Sequence, residues 1–97
     1  MKKPKEKYTV FDAAEYLTSE KDIQAFLDVC FEAGDQEHIT RALGVIARAR
    51  GMSRIAKKTG ISREGLYKAL SGEGNPEFST ILRIIDALGF RLQAVRQ

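Results

Sequence analysis

Glycine recurs in this chain where apolar stripes end, and that punctuation restricts the fold more than any other feature. Ile23, Phe26, Leu27, Cys30 and Phe31 stand at i, i+3, i+4, i+7 and i+8, behind Ser19 and Asp22 in capping-box relation, and Gly34 cuts the stripe. Asp35 then reads as an N-cap for a second stripe of Ile39, Ala42, Leu43, Ile46 and Ala47, which Arg48, Arg50 and Gly51 close in the manner the helix macrodipole favours. Ser53 is placed to cap a short helix carrying Ile55 and Ala56. Gly60 interrupts it, and Ser62 caps another carrying Leu66 and Leu70 that stops at Gly72. Gly72 to Pro76 has loop composition. Ile81, Leu82, Ile84, Ile85 and Leu88 form a last stripe before Gly89, with Asn75 or Ser79 as its cap.

Stripes this short predict an all-α fold of five to six helices, including a brief turn around Asp12 to Leu17. The tail alternates Phe90, Leu92 and Ala94 with Arg91 and Gln93, which predicts a short C-terminal strand or edge segment. With 97 residues, 43% of them apolar, the chain suits one small domain. Residues 1–7 form a flexible basic arm in this reading, and 8–97 the helical domain.

Several functions drop out on residue counts. One cysteine cannot form an internal disulfide, and one cysteine with one histidine cannot supply four zinc ligands. Cys30 lies on an apolar stripe and reads as a buried, inert thiol, and His38 as an exposed residue in the first turn of a capped helix. Gly72-Glu73-Gly74 lacks the Lys-Ser/Thr of a phosphate-cradling loop, and the acids lack calcium-loop spacing. Neither a signal-length apolar run nor a membrane span is present in the sequence. The expectation is a cytoplasmic protein that is not an enzyme, with no cofactor or metal.

The net charge of +3 conceals segregation: residues 8–47 sum to −6, residues 48–68 to +6, and residues 69–97 to zero. Charge runs are often only solvated faces, so position matters. The +6 block coincides with a pattern running from residue 52 to 71. A helix-turn-helix requires a small residue where two helices cross, a residue tolerant of positive φ at the turn, and apolar residues facing inward. Ala56, Gly60 and the set Ile55, Ile61, Leu66 and Ala69 meet those demands in order. An ordinary helical hairpin could use the same pattern. Against it, the second helix is left with Arg63, Glu64, Tyr67, Lys68 and Ser71 facing away from the core.

Those side chains suit base reading: Arg takes guanine O6 and N7, Glu accepts from cytosine N4 or orients an arginine, and Tyr reaches a thymine methyl or a phosphate. Arg63 and Glu64, at the helix N-terminus, are the first candidates for direct readout, followed by Tyr67 and Lys68. Ser53, Arg54, Lys57, Ser62 and Asn75 are assigned to phosphate positioning, the serines also serving as caps.

The stretch Ile46 to Ser71, with Gly74-Asn75-Pro76 and Ala87-Leu88-Gly89, resembles the probable addiction module antidote proteins, small helix-turn-helix antitoxins of the phage Cro and λ-repressor type. Phe11 to Leu17 and Gly34-Asp35 extend the resemblance to about residues 8–95. It implies a cognate toxin encoded beside this chain and autorepression of that operon. Ser62, Arg63, Glu64, Tyr67 and Lys68 match the family's recognition helix. A homodimer would present two such helices to a palindromic operator of double-stranded DNA, with the Phe90 to Val95 tail as a candidate dimer contact. The acidic N-terminal helices are the suggested face for a small basic toxin. A helix-turn-helix regulator without a toxin, and a protein-interaction module without DNA, are the competing functions.

Overall fold

A computed structural model of the chain describes residues 17–97. The basic arm and most of the expected turn around Asp12 to Leu17 lie outside the described residues. Five helices follow in order: α1 (Glu20–Ala33), α2 (Gln36–Arg50), α3 (Met52–Thr59), α4 (Arg63–Ala69) and α5 (Phe78–Ala87). The fold is all-α, and no strand occurs among the described residues.

Helix α1 begins where Ser19 Oγ accepts from Asp22 N at 3.1 Å, with Glu20 and Asp22 complementing the positive end of the dipole. It ends at Gly34 in the left-handed region, as its stripe predicts. Ile23 and Leu27 are buried, Phe26 and Cys30 half-buried. Phe31 is exposed: at about 100° per residue it falls roughly 80° from Ile23, at the margin of the stripe. Cys30 is correspondingly less enclosed than expected, though partial desolvation still raises its thiol pKa.

Asp35 caps α2 as read from sequence. Its Oδ1 accepts from His38 N at 2.9 Å and its Oδ2 lies 3.0 Å from His38 Nδ1. These contacts, the backbone bond foremost, hold the Asp35 carboxyl below its ordinary range, and His38 is exposed. Helix α2 packs against α1 and α3, so more than one of its faces is covered; Val45 is buried beside Ala42, Leu43, Ile46 and Ala47.

Three terminators differ from expectation. Ser53 does not cap α3: Gly51, at φ 104°, closes α2 and opens α3 at one residue, which leaves Ser53 inside the first helical turn. Neither Asn75 nor Ser79 caps α5. Glu77 holds that position with no side-chain cap bond, while Asn75 Oδ1 accepts from Gln36 Nε2 at 3.0 Å. Helix α4 stops at Ala69, before Gly72, because the chain turns to bury Leu70.

The expected C-terminal strand is also absent. After α5 the Phe90 N–H bonds Ile85 O at 3.1 Å and the Gly89 N–H bonds Asp86 O at 3.0 Å, a Schellman closure that seats Phe90 against the core. Residues 91–97 are exposed, and a lone extended segment without a neighbouring strand forms no ladder.

Arg50 ties this end of the molecule together. Its guanidinium forks onto Glu20 at 2.8 and 3.0 Å and lies 5.9 Å from the Phe90 ring centroid, linking α1, α2 and the tail. The arginine hydrogen bond lowers the Glu20 pKa and the carboxylate raises that of Arg50. One charge of the +6 block is thus engaged inside the fold. The core runs through Leu43, Ile46, Ile55, Leu66, Ile84 and Leu88, each at most 1% exposed, so all helices from α2 to α5 contribute to it.

Candidate nucleic-acid interface

Helices α3 and α4 are joined by residues 60–62 alone. Gly60 makes the reversal possible. It adopts φ 76°, where a Cβ would strain the backbone, while its N–H still bonds Ala56 O at 2.9 Å. Ser62 then caps α4 as expected, its Oγ accepting from Gly65 N at 3.0 Å.

Thr59, which is not among the residues that the sequence points to, latches the same turn. Its buried hydroxyl donates to Ile55 O at 2.9 Å and accepts from Ile61 N at 3.1 Å, so one side chain joins the last turn of α3 to the first residue beyond Gly60. From α5, Arg83 Nη1 donates to Thr59 O at 2.9 Å and satisfies a carbonyl at the open end of α3. A threonine immediately before the turn glycine and two residues before an inward isoleucine was the local signal. Arg83 had none, since it lies 24 positions away. Replacing Thr59 by Val leaves the Ile61 N–H without this acceptor, and we expect a loss of about 1–3 kcal/mol, read as a lower urea midpoint at unchanged m-value. An unchanged midpoint would show that the turn holds without its latch.

Helix α4 divides cleanly. Leu66 is fully buried, Ala69 half-buried and Leu70 buried at the cap, whereas Arg63, Glu64, Tyr67, Lys68 and Ser71 are exposed. Tyr67 retains 46% of its surface. The Arg63 guanidinium lies 5.9 Å from the Tyr67 ring centroid and its Nη2 donates to the Tyr67 hydroxyl at 3.4 Å, so the two form an exposed pair one turn apart. On α3, Ser53, Arg54, Lys57 and Lys58 are exposed while Met52, Ile55 and Thr59 turn inward.

The structure therefore gathers Ser53, Arg54 and Lys57 on one short helix, and Ser62, Arg63, Glu64, Tyr67 and Lys68 on or beside the next. Asn75 stands apart: with Gln36 it lines a mainly apolar groove of about 480 Å³ that also takes in Phe31, Ile39, Phe78 and Ile81. Among the described residues no group of three or more His, Cys, Asp or Glu side chains is arranged to hold a metal ion. No helix among them is long and apolar enough to cross a membrane.

Comparison with known proteins adds family evidence to this geometry. The family described as "probable addiction module antidote protein" matches residues 7–96. The chain is also 55% identical over 83 residues to a Haemophilus influenzae protein described as uncharacterized, an alignment that covers 86% of each chain. No solved structure matches the chain.

Proposed function

The chain belongs to the probable addiction module antidote family, and on that premise we propose that it is a sequence-specific DNA-binding antitoxin, which neutralises a cognate toxin and represses its own operon. The family description implies a toxin partner and a regulator rather than an enzyme. The observation that carries the DNA-binding half is the outward face of α4. Arg63, Glu64, Tyr67 and Lys68 are exposed side by side on a short helix whose inner face is clamped by Leu66 and whose entry turn is fixed by Gly60 and Thr59. A helix held this rigidly can enter a major groove as a unit, with its N-terminal residues on base edges.

In this reading α3 and α4 form a helix-turn-helix. Arg63 and Glu64 read bases, Tyr67 and Lys68 assist, and Ser53, Arg54, Lys57 and Ser62 sit against phosphates. The sequence groups Asn75 with these residues, but its bond to Gln36 supports a role in joining the start of α2 to the loop before α5. One seven-residue helix spans few base pairs, so a homodimer with its α4 helices about 34–36 Å apart on a palindromic site fits best. The acidic face of α1, where Asp22, Asp28 and Glu32 are exposed, suits a basic toxin.

The experiment is co-expression with the small reading frame adjoining the gene. We expect the two products to co-purify and growth arrest by the neighbour to be relieved. Neither result appearing would reject the antitoxin reading and leave a regulator without a toxin.

A further inference from the structure

The alternation of the tail is a pattern that the fold does not use. Past the closure at Phe90 the chain runs to Gln97 without helix, turn or bend, and with no residue at positive φ. Arg91 Nη2 donates to Gln93 Oε1 at 3.2 Å, so residues i and i+2 share one side, as in a strand, and Leu92 and Ala94 take the other. Among the described residues no backbone hydrogen bond engages residues 91–97. A row of N–H and C=O groups therefore stands open along this segment.

The surface around the tail is apolar. Leu92 borders two grooves, of about 480 and 310 Å³, which also share Phe31 of α1 and Ile85 of α5. Of the seven large hydrophobic side chains that stay exposed among the described residues, Phe31, Phe78, Leu92 and Val95 line these grooves, Phe78 at 65% and Val95 at 77% exposure. Exposed apolar surface is thus concentrated beside an unpaired strand-like edge. A second strand laid along that edge, at the usual spacing of about 4.8 Å, would fall over a groove.

We propose that the tails of two copies of this chain pair antiparallel about a two-fold axis, as a ribbon whose Leu92 side rests on the grooves of both. The proposal rests on the homodimer in the DNA-binding reading above and names its contact. No strand occurs among the described residues of the chain to pair with the tail, whereas an identical tail fits by symmetry. A two-fold axis normal to the ribbon sets residues of the same parity opposite each other, so Leu92 and Ala94 of both copies share the helix-facing side. Charge fits as well. With the axis at Gln93 or Ala94, Arg91 faces Val95 or Gln97 of the second copy, and no arginine stands opposite another. A two-stranded ribbon is marginal by itself. A stable dimer covers about 800 Å² on each partner, and the groove side chains add the apolar area that the ribbon lacks. Neither groove takes a residue from α3 or α4, so joining two copies here leaves the outward face of α4 uncovered.

The test is sedimentation velocity across a dilution series on the wild-type chain, Gln93→Pro and Ala94→Pro, with melting curves to confirm that each variant is folded. Adjacent positions in an antiparallel pair alternate between exchanging both backbone bonds and exchanging none. One proline should therefore raise the dimer dissociation constant at least about 10-fold, by deleting two bonds per dimer, and its neighbour should change it far less. Amide hydrogen exchange on the wild type should show residues 91–96 protected where the dimer is populated and unprotected on dilution. A wild-type monomer at every concentration, or a dimer that neither proline weakens, would overturn the ribbon. So would tail amides protected only when the product of the adjoining reading frame is present, since the strand would then have another partner. The DNA-binding reading fails separately: a tail-dependent dimer that does not bind the DNA preceding its own reading frame would reject that reading and keep the ribbon.

Discussion

Leu66→Ala is expected to cost about 2–5 kcal/mol of folding stability, the range for truncating a fully enclosed leucine whose surroundings relax only in part. Leu66 is 0% exposed and is the side chain by which α4 is anchored most deeply. Its helix has only seven residues, too few to persist in water on propensity alone, so α4 exists because Leu66 docks it. For a domain of this size each kcal/mol moves the melting temperature by roughly 4–8 °C, so a fall of about 8 °C or more is the predicted reading. Tyr67→Ala, one position further on, removes an exposed ring and should cost well under half as much. A small effect at Leu66, comparable with that at Tyr67, would mean that α4 is not held as described, and the rigid-helix argument for its outward face would fail with it.

The inward residues were legible in the sequence because helical spacing repeats the same physical demand every turn. Ile23, Leu27, Leu43, Ile46, Ile55, Leu66 and Ile84 all lie where the stripes put them. Gly34, Gly51, Gly60 and Gly89 terminate helices because each adopts a positive φ that few other residues take without strain. Caps were read less well wherever two signals competed. Ser53 looks like an N-cap in isolation, but Gly51 ends one helix and starts the next, and no residue is left over for a serine to hold. Asn75 has a capping side chain whose acceptor oxygen is taken by Gln36, a partner 39 positions away that no local pattern reveals. The tail alternates like a strand, but alternation forms a strand only beside another strand, and the Schellman closure at Gly89 diverts Phe90 into the helical core instead. At the candidate site, the exposed face of α4 was readable by subtracting core positions. Helical spacing does not mark Thr59 or Arg83, since each acts across a turn or between helices, through contacts that periodicity does not encode.

Arg63→Ala and Lys57→Ala should fail in different ways if the exposed faces of α4 and α3 divide base reading from backbone holding. Arg63 is the first residue of α4, the end expected to enter the groove, and its planar fork matches the O6 and N7 acceptors of guanine. In the free protein it leans on Tyr67 at 5.9 Å, an exposed contact worth about 0.5–1 kcal/mol, so a bidentate base contact can displace it at small cost. Its removal should therefore lose about 1–3 kcal/mol on the DNA preceding the reading frame and relax the preference at one base pair, with little change on random duplex. Lys57 is a flexible point charge in the last turn of α3. Its removal should weaken both duplexes alike and reduce the salt slope by about 0.9, the signature of one lost phosphate contact. Equal losses on both duplexes for both variants would place Arg63 on the backbone, and base reading would then have to reside in Glu64, Tyr67 or Lys68. A loss confined to one duplex for Lys57 would instead move the specific contact to α3, a result that the charge pattern alone could not have separated from the first.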